Sequence, residues 1–205
     1  MPRTRKTIAP GSAEPRKPRS NTIKYLTKAQ VVAFFAVLDR VKAPARDVAI
    51  FRLAYHRGLR ASEIGRLQFS DFRAEEGRLQ VTRLKGSNSF DYPLSKIEVA
   101  VVRAHVRVRG KIPGPLFLSR NGRAISRKRL AYLMLTYSQL AGIPRDRSHM
   151  HAWKHSCGTH LAEDGADLLD IKDHLGHRNV ANTMIYVEIT SKRREAFGAK
   201  LKDWK

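Results

Sequence analysis

Apolar residues recur at helical spacing soon after a polar beginning. Thr27 and Gln30 in "TKAQ" have the spacing of a capping box, in which each side chain bonds the other residue's backbone N–H. The apolar positions that follow are Val31, Phe34, Phe35 and Leu38. Their period predicts an amphipathic first helix with one buried face.

A second helical pattern starts near Pro44, a residue favoured at the first position of a helix. It runs through Val48, Phe51 and Tyr55 and stops at Gly58. The stretch "GLRASEI" then predicts a short third helix over residues 60–67, with Arg60 where that helix begins.

The period changes from Phe69 onward. Leu79 and Val81 alternate with Gln80 and Thr82, and the turn-forming stretches "EEG" and "KGSN" interrupt the segment. This pattern predicts a small antiparallel sheet made of two hairpins.

Helical patterning returns at "SKIE", where Ser95 and Glu98 form a second capping box. We expect Val101, His105 and Val108 to share one face of that helix. Further helices are predicted over about residues 126–141, 149–163, 167–175, 179–188 and 193–202. The fold class is therefore mainly α with a small antiparallel β-sheet, an α+β domain.

The net charge of the chain indicates which class of molecule it binds. Forty lysines and arginines against 18 acidic residues give a net charge of +22, typical of proteins that neutralise phosphates. A membrane surface is the competing partner, but the apolar run "VVAFFAVL" is far shorter than the roughly 20 residues needed to span a bilayer. No signal peptide is recognisable, and the single Cys157 suits a reducing cytoplasm.

The first residues, "MPRTRKTIAPGSAEPRKPRS", are rich in proline and basic side chains and poor in apolar ones. Such a segment cannot offset the entropy of ordering by burial. We expect residues 1–21 to be a flexible basic arm, and residues 22–205 to be one folded domain.

Common catalytic motifs are absent from the sequence. It has no Gly-rich phosphate loop, no Gly-x-Ser-x-Gly and no Cys-x-x-Cys, so we expect no nucleotide cofactor. His151, Lys154 and His155 in "HAWKHS" are spaced to share a helix face, and His174 and His177 precede Tyr186. Zinc is a rival explanation for the histidines, but cysteine pairs and a His-Glu-x-x-His helix are lacking and a lysine would repel the metal, so we expect no metal.

These pieces occur in an order that resembles the catalytic domain of the tyrosine recombinases, the phage integrase-like family. The matching stretches are "GLRASEI", "RLKGS", "HAWKHS", "LGH" and a tyrosine nine residues after that histidine. The resemblance covers about residues 22–200. It implies a site-specific DNA recombinase that forms a 3′-phosphotyrosyl intermediate during integration, excision or inversion, without ATP.

The resemblance also implies a role for each matching residue. Tyr186 would be the nucleophile, Arg60 the clamp on the scissile phosphate, and Glu63 the residue that orients its neighbours. Lys85 would be the general acid on a hairpin tip, His151 would assist proton transfer, and His177 would hydrogen-bond the phosphate. The alternatives without a catalytic role are a surface ion pair for Glu63, an exposed turn lysine for Lys85 and a core tyrosine for Tyr186.

Three further histidines, His155, His160 and His174, are interpreted as satisfied core residues. Lys154 stands where the family has its second arginine, and lysine keeps the charge but loses the bidentate geometry. The consequence is a slower enzyme, a binding-only protein of the same fold, or a natural or engineered variant with altered activity.

The chain resembles small members of the family that lack the separate N-terminal core-binding domain. The basic arm or a partner, such as an accessory DNA-bending protein, would replace part of the DNA contacts made by that domain. The resemblance implies a homo-tetramer on double-stranded DNA in the cytoplasm at the nucleoid, without a membrane.

A tail helix carrying Phe197, Leu201 and Trp204 would pack on a neighbouring protomer or on its own domain. A ribosomal-type RNA-binding protein fits the charge but not the ordered set of site residues.

The net charge generates a first testable prediction. Affinity for duplex DNA should fall on the order of a hundredfold or more between low and moderate salt, because phosphate contacts release counterions. Fluorescence anisotropy over a salt series measures it. An affinity that does not change with salt would contradict a nucleic-acid partner.

Overall fold

The computed structural model describes residues 24–83, 89–187 and 198. Its eight described helices are α1 (Lys28–Arg40), α2 (Ala45–His56), α3 (Ala61–Ile64), α4 (Lys96–Arg109), α5 (Arg127–Leu140), α6 (Met150–Glu163), α7 (Leu168–Leu175) and α8 (Ala181–Val187). The described strands are β1 (Phe72–Arg73), β2 (Arg78–Val81) and β3 (Phe90–Pro93). The predicted class, helices with one small antiparallel sheet, is confirmed.

The first helix begins where its capping box predicts. The Thr27 side chain accepts a hydrogen bond from the backbone N–H of Gln30, and the Gln30 side chain accepts one from Thr27. The buried face of α1 supplies Phe34, whose ring lies 4.8 Å from Phe51 and 4.9 Å from Trp153 between centroids. This aromatic cluster joins α1, α2 and α6 in the core.

Helix α4 also begins at its predicted capping box, Ser95 with Glu98. Its buried face differs from the expected one: Val102 and His105 are buried, whereas Val108 is 82% exposed. Val108 lies three positions after His105 on the same side of the helix, as predicted, but at the last turn of α4 that side reaches the surface of the described residues.

The sheet is three-stranded and antiparallel in the order β1-β2-β3. Leu79 on the central strand pairs with Phe72 on one side and with Tyr92 on the other. Since Leu79 and Val81 are both fully buried, one face of β2 packs on the core, as their alternation predicts.

The last three described helices pack on one another next to α2. Helix α7 ends at Gly176, which adopts a left-handed conformation (φ 67°). Gly58, at the end of α2, has φ 55°, and a Cβ there would lie 2.4 Å from Leu175 Cδ2. A glycine at position 58 therefore lets the end of α2 contact the end of α7.

One predicted helix is shorter than expected, and three predicted segments cannot be compared with the structure. The third helix is shorter than 60–67, because it spans only Ala61–Ile64 and gives way to a turn before Leu67. The basic arm, the hairpin tip with Lys85, and the tail helix all lie outside the described residues. Within the described part of the chain, every helix is too short or too polar to cross a bilayer.

Candidate active site

The candidate site is built around the buried carboxylate of Glu63 in α3. Glu63 accepts hydrogen bonds from the Arg60 backbone N–H (2.8 Å) and from Arg60 Nη1 (3.0 Å). The Glu63 side chain is fully buried, whereas a third of the Arg60 side chain is exposed. The buried Glu63 carboxylate thus anchors an Arg60 side chain that is itself partly exposed.

The surface-pair alternative for Glu63 is excluded by a second, buried arginine. Arg83 Nη1 lies 2.8 Å from Glu63 Oε2, and neither side chain has any exposed surface. The guanidinium of Arg83 also donates to the carbonyls of Arg57 (3.1 Å) and His174 (3.3 Å). Arg83 therefore ties the end of β2 to α2, α3 and α7.

Sequence reasoning missed Arg83, although a signal was present. Residues 79, 81 and 83 alternate along the strand, so Arg83 continues the buried face of Leu79 and Val81. An arginine on a core face needs a buried partner, and Glu63 is that partner. Arg83 is also the last described residue before the hairpin tip that carries Lys85.

Lys154 lies deeper than the sequence predicts. It lies three positions after His151 on α6, as the spacing predicts, but Lys154 is 1% exposed while His151 is exposed. Its Nζ donates to the Leu175 carbonyl at 2.5 Å, at the C-terminal end of α7. Burial, with the nearby charges of Arg83 and Arg60, lowers the pKa of Lys154 to about 7.

His177 follows the left-handed Gly176 and is 5% exposed. Its Nδ1 lies 2.9 Å from the hydroxyl of Thr183 in α8. Burial, together with the positive charges of Lys154 and Arg60, lowers the pKa of His177 to about 3. His177 is therefore neutral at neutral pH and able to donate a hydrogen bond from Nε2 when that nitrogen carries the proton.

Tyr186 in α8 is 1% exposed. Its ring stacks on that of His177 at an interplanar angle of 13° and a centroid distance of 6.4 Å. A Cβ on Gly158 of α6 would lie 2.7 Å from the tyrosine ring, so this position requires a residue without a side chain. Burial raises the pKa of the Tyr186 hydroxyl, which is therefore a neutral phenol at neutral pH.

His151 and His155 lie one helical turn apart on α6. The rings of His151 and His155 touch edge to face at 4.4 Å, and it is His155, not His151, that contacts the tyrosine hydroxyl. His155 is half-buried, and its hydrogen bond is to a residue of the candidate site. Burial, with the neighbouring His151, lowers its pKa to about 4.

The other two histidines have structural contacts. Nδ1 of His160 lies 2.8 Å from the hydroxyl of Tyr55, and Nε2 of His174 lies 2.8 Å from the His56 carbonyl. Among the described residues no group of His, Cys, Asp and Glu is arranged to hold a metal ion.

The arrangement suits a multiply charged anion better than a cation. Three basic side chains, Arg60, Arg83 and Lys154, surround one carboxylate, and two neutral imidazoles lie beside a buried phenol. Arginines can bind a phosphate with paired hydrogen bonds, and the surplus charge in a poorly solvated site strengthens that attraction.

Comparison with known proteins gives a family match over most of the chain. The model of the phage integrase family matches residues 24–193. The type 1 fimbriae regulatory protein FimE of Escherichia coli K12 is 34% identical over 175 residues, covering 83% of this chain and 88% of FimE. The tyrosine recombinase XerA of Thermococcus kodakarensis is 32% identical, covering 86% of this chain and 61% of XerA.

Solved structures share the fold at lower identity. The crystal structure of XerA recombinase has a TM-score of 0.75 at 21% identity, covering 91% of this chain and 66% of that one. The XerH site-specific recombinase bound to difH in a pre-cleavage complex has a TM-score of 0.74 at 21% identity, covering 89% of this chain and 55% of that one. The chain thus spans between about half and two thirds of these two structures.

The buried ion pair generates a stability prediction. Arg83→Met should lower the free energy of unfolding by about 3–5 kcal/mol, because it removes a buried partner of Glu63 and leaves three backbone carbonyls without that donor. Urea denaturation measures the change. Arg78→Met is the matched control, since Arg78 is 38% exposed in its ion pair with Asp91 and should cost about 1 kcal/mol or less. Equal losses in the two variants would contradict the structural role of Arg83.

Proposed function

The chain belongs to the phage integrase family, and on that premise we propose that it is a site-specific DNA recombinase that acts through Tyr186. Its relatives FimE and XerA, the latter a tyrosine recombinase by name, support this proposal. The observation that carries it is the position of the Tyr186 ring, stacked on His177, whose pKa is lowered by the nearby charges of Lys154 and Arg60.

The proposed reaction exchanges one phosphodiester for another. The Tyr186 oxygen attacks phosphorus and loses its proton, the bond from phosphorus to the 5′ oxygen breaks, and that oxygen receives a proton. The products are a 3′-phosphotyrosyl link and a free 5′-hydroxyl, so no external energy source is required. Reversal of the step by the 5′-hydroxyl of another strand rejoins the DNA.

Arg60 is proposed to hold the non-bridging oxygens of the phosphate. It is the most exposed cation of the site, and the Glu63 carboxylate fixes its guanidinium from the other side. Charge grows on those oxygens as the transition state forms, so a preoriented guanidinium stabilises the transition state more than the ground state. Glu63 acts through Arg60 and is a positioning residue.

Two further hydrogen-bond donors complete the proposed phosphate contacts. His177 is neutral and would donate one hydrogen bond to the phosphate, while Lys154 would contribute its charge from a deeper position. Lys85 is proposed as the general acid for the 5′ oxygen, and His151 is proposed to assist proton transfer near the tyrosine.

Tyr186 must become accessible before it can react. With 1% of its surface exposed, its hydroxyl cannot come within bonding distance of a phosphorus atom in the described conformation. Movement of α8, a helix of seven residues that carries both Tyr186 and the His177 partner Thr183, would open the site. We therefore propose that DNA binding and a shift of α8 precede cleavage.

Double-stranded DNA is the proposed substrate, bound through the excess of positive charge. Assembly of four protomers on two DNA sites, and assistance by a DNA-bending protein, belong to the same proposal. The basic arm would add phosphate contacts. The proposed location is the cytoplasm, at the nucleoid.

A binding-only role is the second candidate, and one observation favours it. The Nζ of Lys154 is already engaged by the Leu175 carbonyl, and its pKa near 7 leaves only part of the population charged at neutral pH. A site that lacks full positive charge at this position would bind DNA through its surface while cleaving slowly.

The nucleophile can be tested by removing a single oxygen. Tyr186→Phe should abolish the covalent protein–DNA adduct on a nicked suicide duplex, because the attacking hydroxyl is gone. DNA affinity should stay within about twofold of the unchanged protein, since surface phosphate contacts dominate binding. Denaturing gel electrophoresis and anisotropy measure the two quantities.

Tyr132→Phe is the control, because Tyr132 is 57% exposed and lies on α5. An adduct that persists in Tyr186→Phe would rule out Tyr186 as the nucleophile. Absence of any adduct in the unchanged protein, with DNA binding intact, would favour the binding-only role.

The lysine generates a pH prediction. Lys154 is charged below its pKa of about 7 and neutral above it, whereas an arginine stays charged throughout. The ratio of the Lys154→Arg cleavage rate to the unchanged rate should therefore rise as pH increases from 6 to 9. Because an electrostatic donor is worth roughly a hundredfold in rate, that figure is the upper limit of the rise.

Lys154→Met is the matched control, because it is neutral at every pH. It should cleave more slowly than the unchanged protein at pH 6 and approach its rate at pH 9. Single-turnover adduct formation measures all three proteins. A ratio of Lys154→Arg to unchanged rate that is constant across this range would contradict a role for the Lys154 charge in cleavage.

A further inference from the structure

The hydroxyl of Tyr186 has one hydrogen-bond partner among the described residues. It lies 3.1 Å from Nδ1 of His155, which is one helical turn after His151 on α6. His155 is neutral at neutral pH. In the tautomer that carries its proton on Nε2, Nδ1 accepts a hydrogen bond from the Tyr186 hydroxyl. The contact joins two side chains 31 positions apart and links α8 to α6.

The remaining contacts of Tyr186 enclose its ring. Gly158 of α6 leaves just enough room for that ring, and His177 stacks on it. These contacts are apolar or stacking, so the bond to His155 is the polar contact that fixes where the hydroxyl points. Since the residue is 1% exposed, the hydroxyl has to leave this position to reach phosphorus.

We propose that His155 is a positioning residue that holds the Tyr186 hydroxyl in this buried position and keeps it away from the phosphate until α8 moves. The proposal rests on the proposed function, in which Tyr186 is the nucleophile. Breaking the hydrogen bond should make the hydroxyl more available, because the buried conformation loses stability relative to the open one. The net value of one such bond corresponds to roughly a two- to tenfold change in that balance.

A matched pair of polar substitutions isolates this hydrogen bond. His155→Asn carries an amide oxygen on Cγ, at the place of Nδ1, and can keep the acceptor. His155→Gln has a methylene group at Cγ and a carbon atom at the place of Nδ1, so its amide oxygen and nitrogen lie one bond farther out. Both side chains are similar in polarity and tolerated in helices, so a difference between the two variants reports the acceptor and not the loss of histidine.

The first measurement is acetylation of tyrosine hydroxyls by N-acetylimidazole in the full chain without DNA, mapped by mass spectrometry. We expect Tyr186 to react about two- to tenfold faster in His155→Gln than in the unchanged protein, and His155→Asn to match the unchanged protein. Tyr132, 57% exposed, and Tyr92, 5% exposed, serve as references and should not change. Faster reaction at both Tyr186 and Tyr92 would indicate general loosening and overturn the proposal.

The second measurement is the single-turnover rate of adduct formation on a suicide duplex. His155→Gln should form adduct about two- to tenfold faster than the unchanged protein, with His155→Asn unchanged. Slower adduct formation in His155→Gln, with Tyr186 still protected from acetylation, would overturn the proposal and make His155 the acceptor of the tyrosine proton. If the unchanged protein forms no adduct, the proposed function fails, while acetylation still decides whether His155 holds the hydroxyl.

Discussion

A buried carboxylate, that of Glu63, is the constraint on which the candidate site depends. A charged group without exposed surface is stable only when hydrogen-bonded cations replace its water, and Arg60 and Arg83 provide them. Arg83 reaches Glu63 from the end of β2 and also bonds the His174 carbonyl in α7. One ion-pair network thus fixes Arg60, the end of the strand before Lys85, and the helix that leads to His177.

The same network sets the charge state of its neighbours. Lys154 and His177 both have lowered pKa values, because burial disfavours their charged forms and the arginines repel a further positive charge. A phosphate entering this site would reverse part of that effect, since its negative charge favours protonation of Lys154. The positive charges of the network therefore attract an anion, while the imidazoles remain neutral.

Much of the fold was predictable because its signals are local. Capping boxes at Thr27 and Ser95 and the alternation around Leu79 fix element types through contacts a few residues apart. The roles proposed for Arg60 and Tyr186 came from short motifs in family order, not from periodicity. Periodicity does not report burial that depends on distant elements: Lys154 is buried where it binds the Leu175 carbonyl of α7, and Val108 is exposed among the described residues. The contact of His155 with Tyr186 joins α6 to α8 and has no counterpart in local sequence.

In the proposed function, this network serves a tyrosine that becomes covalently joined to DNA. The most direct measurement is mass spectrometry of the protein trapped on a suicide duplex and digested with protease and nuclease. We expect a single modified peptide, with a 3′-linked nucleotide phosphate on the oxygen of Tyr186. A nucleotide attached to any other residue, or a trapped complex that contains no covalent link, would contradict it.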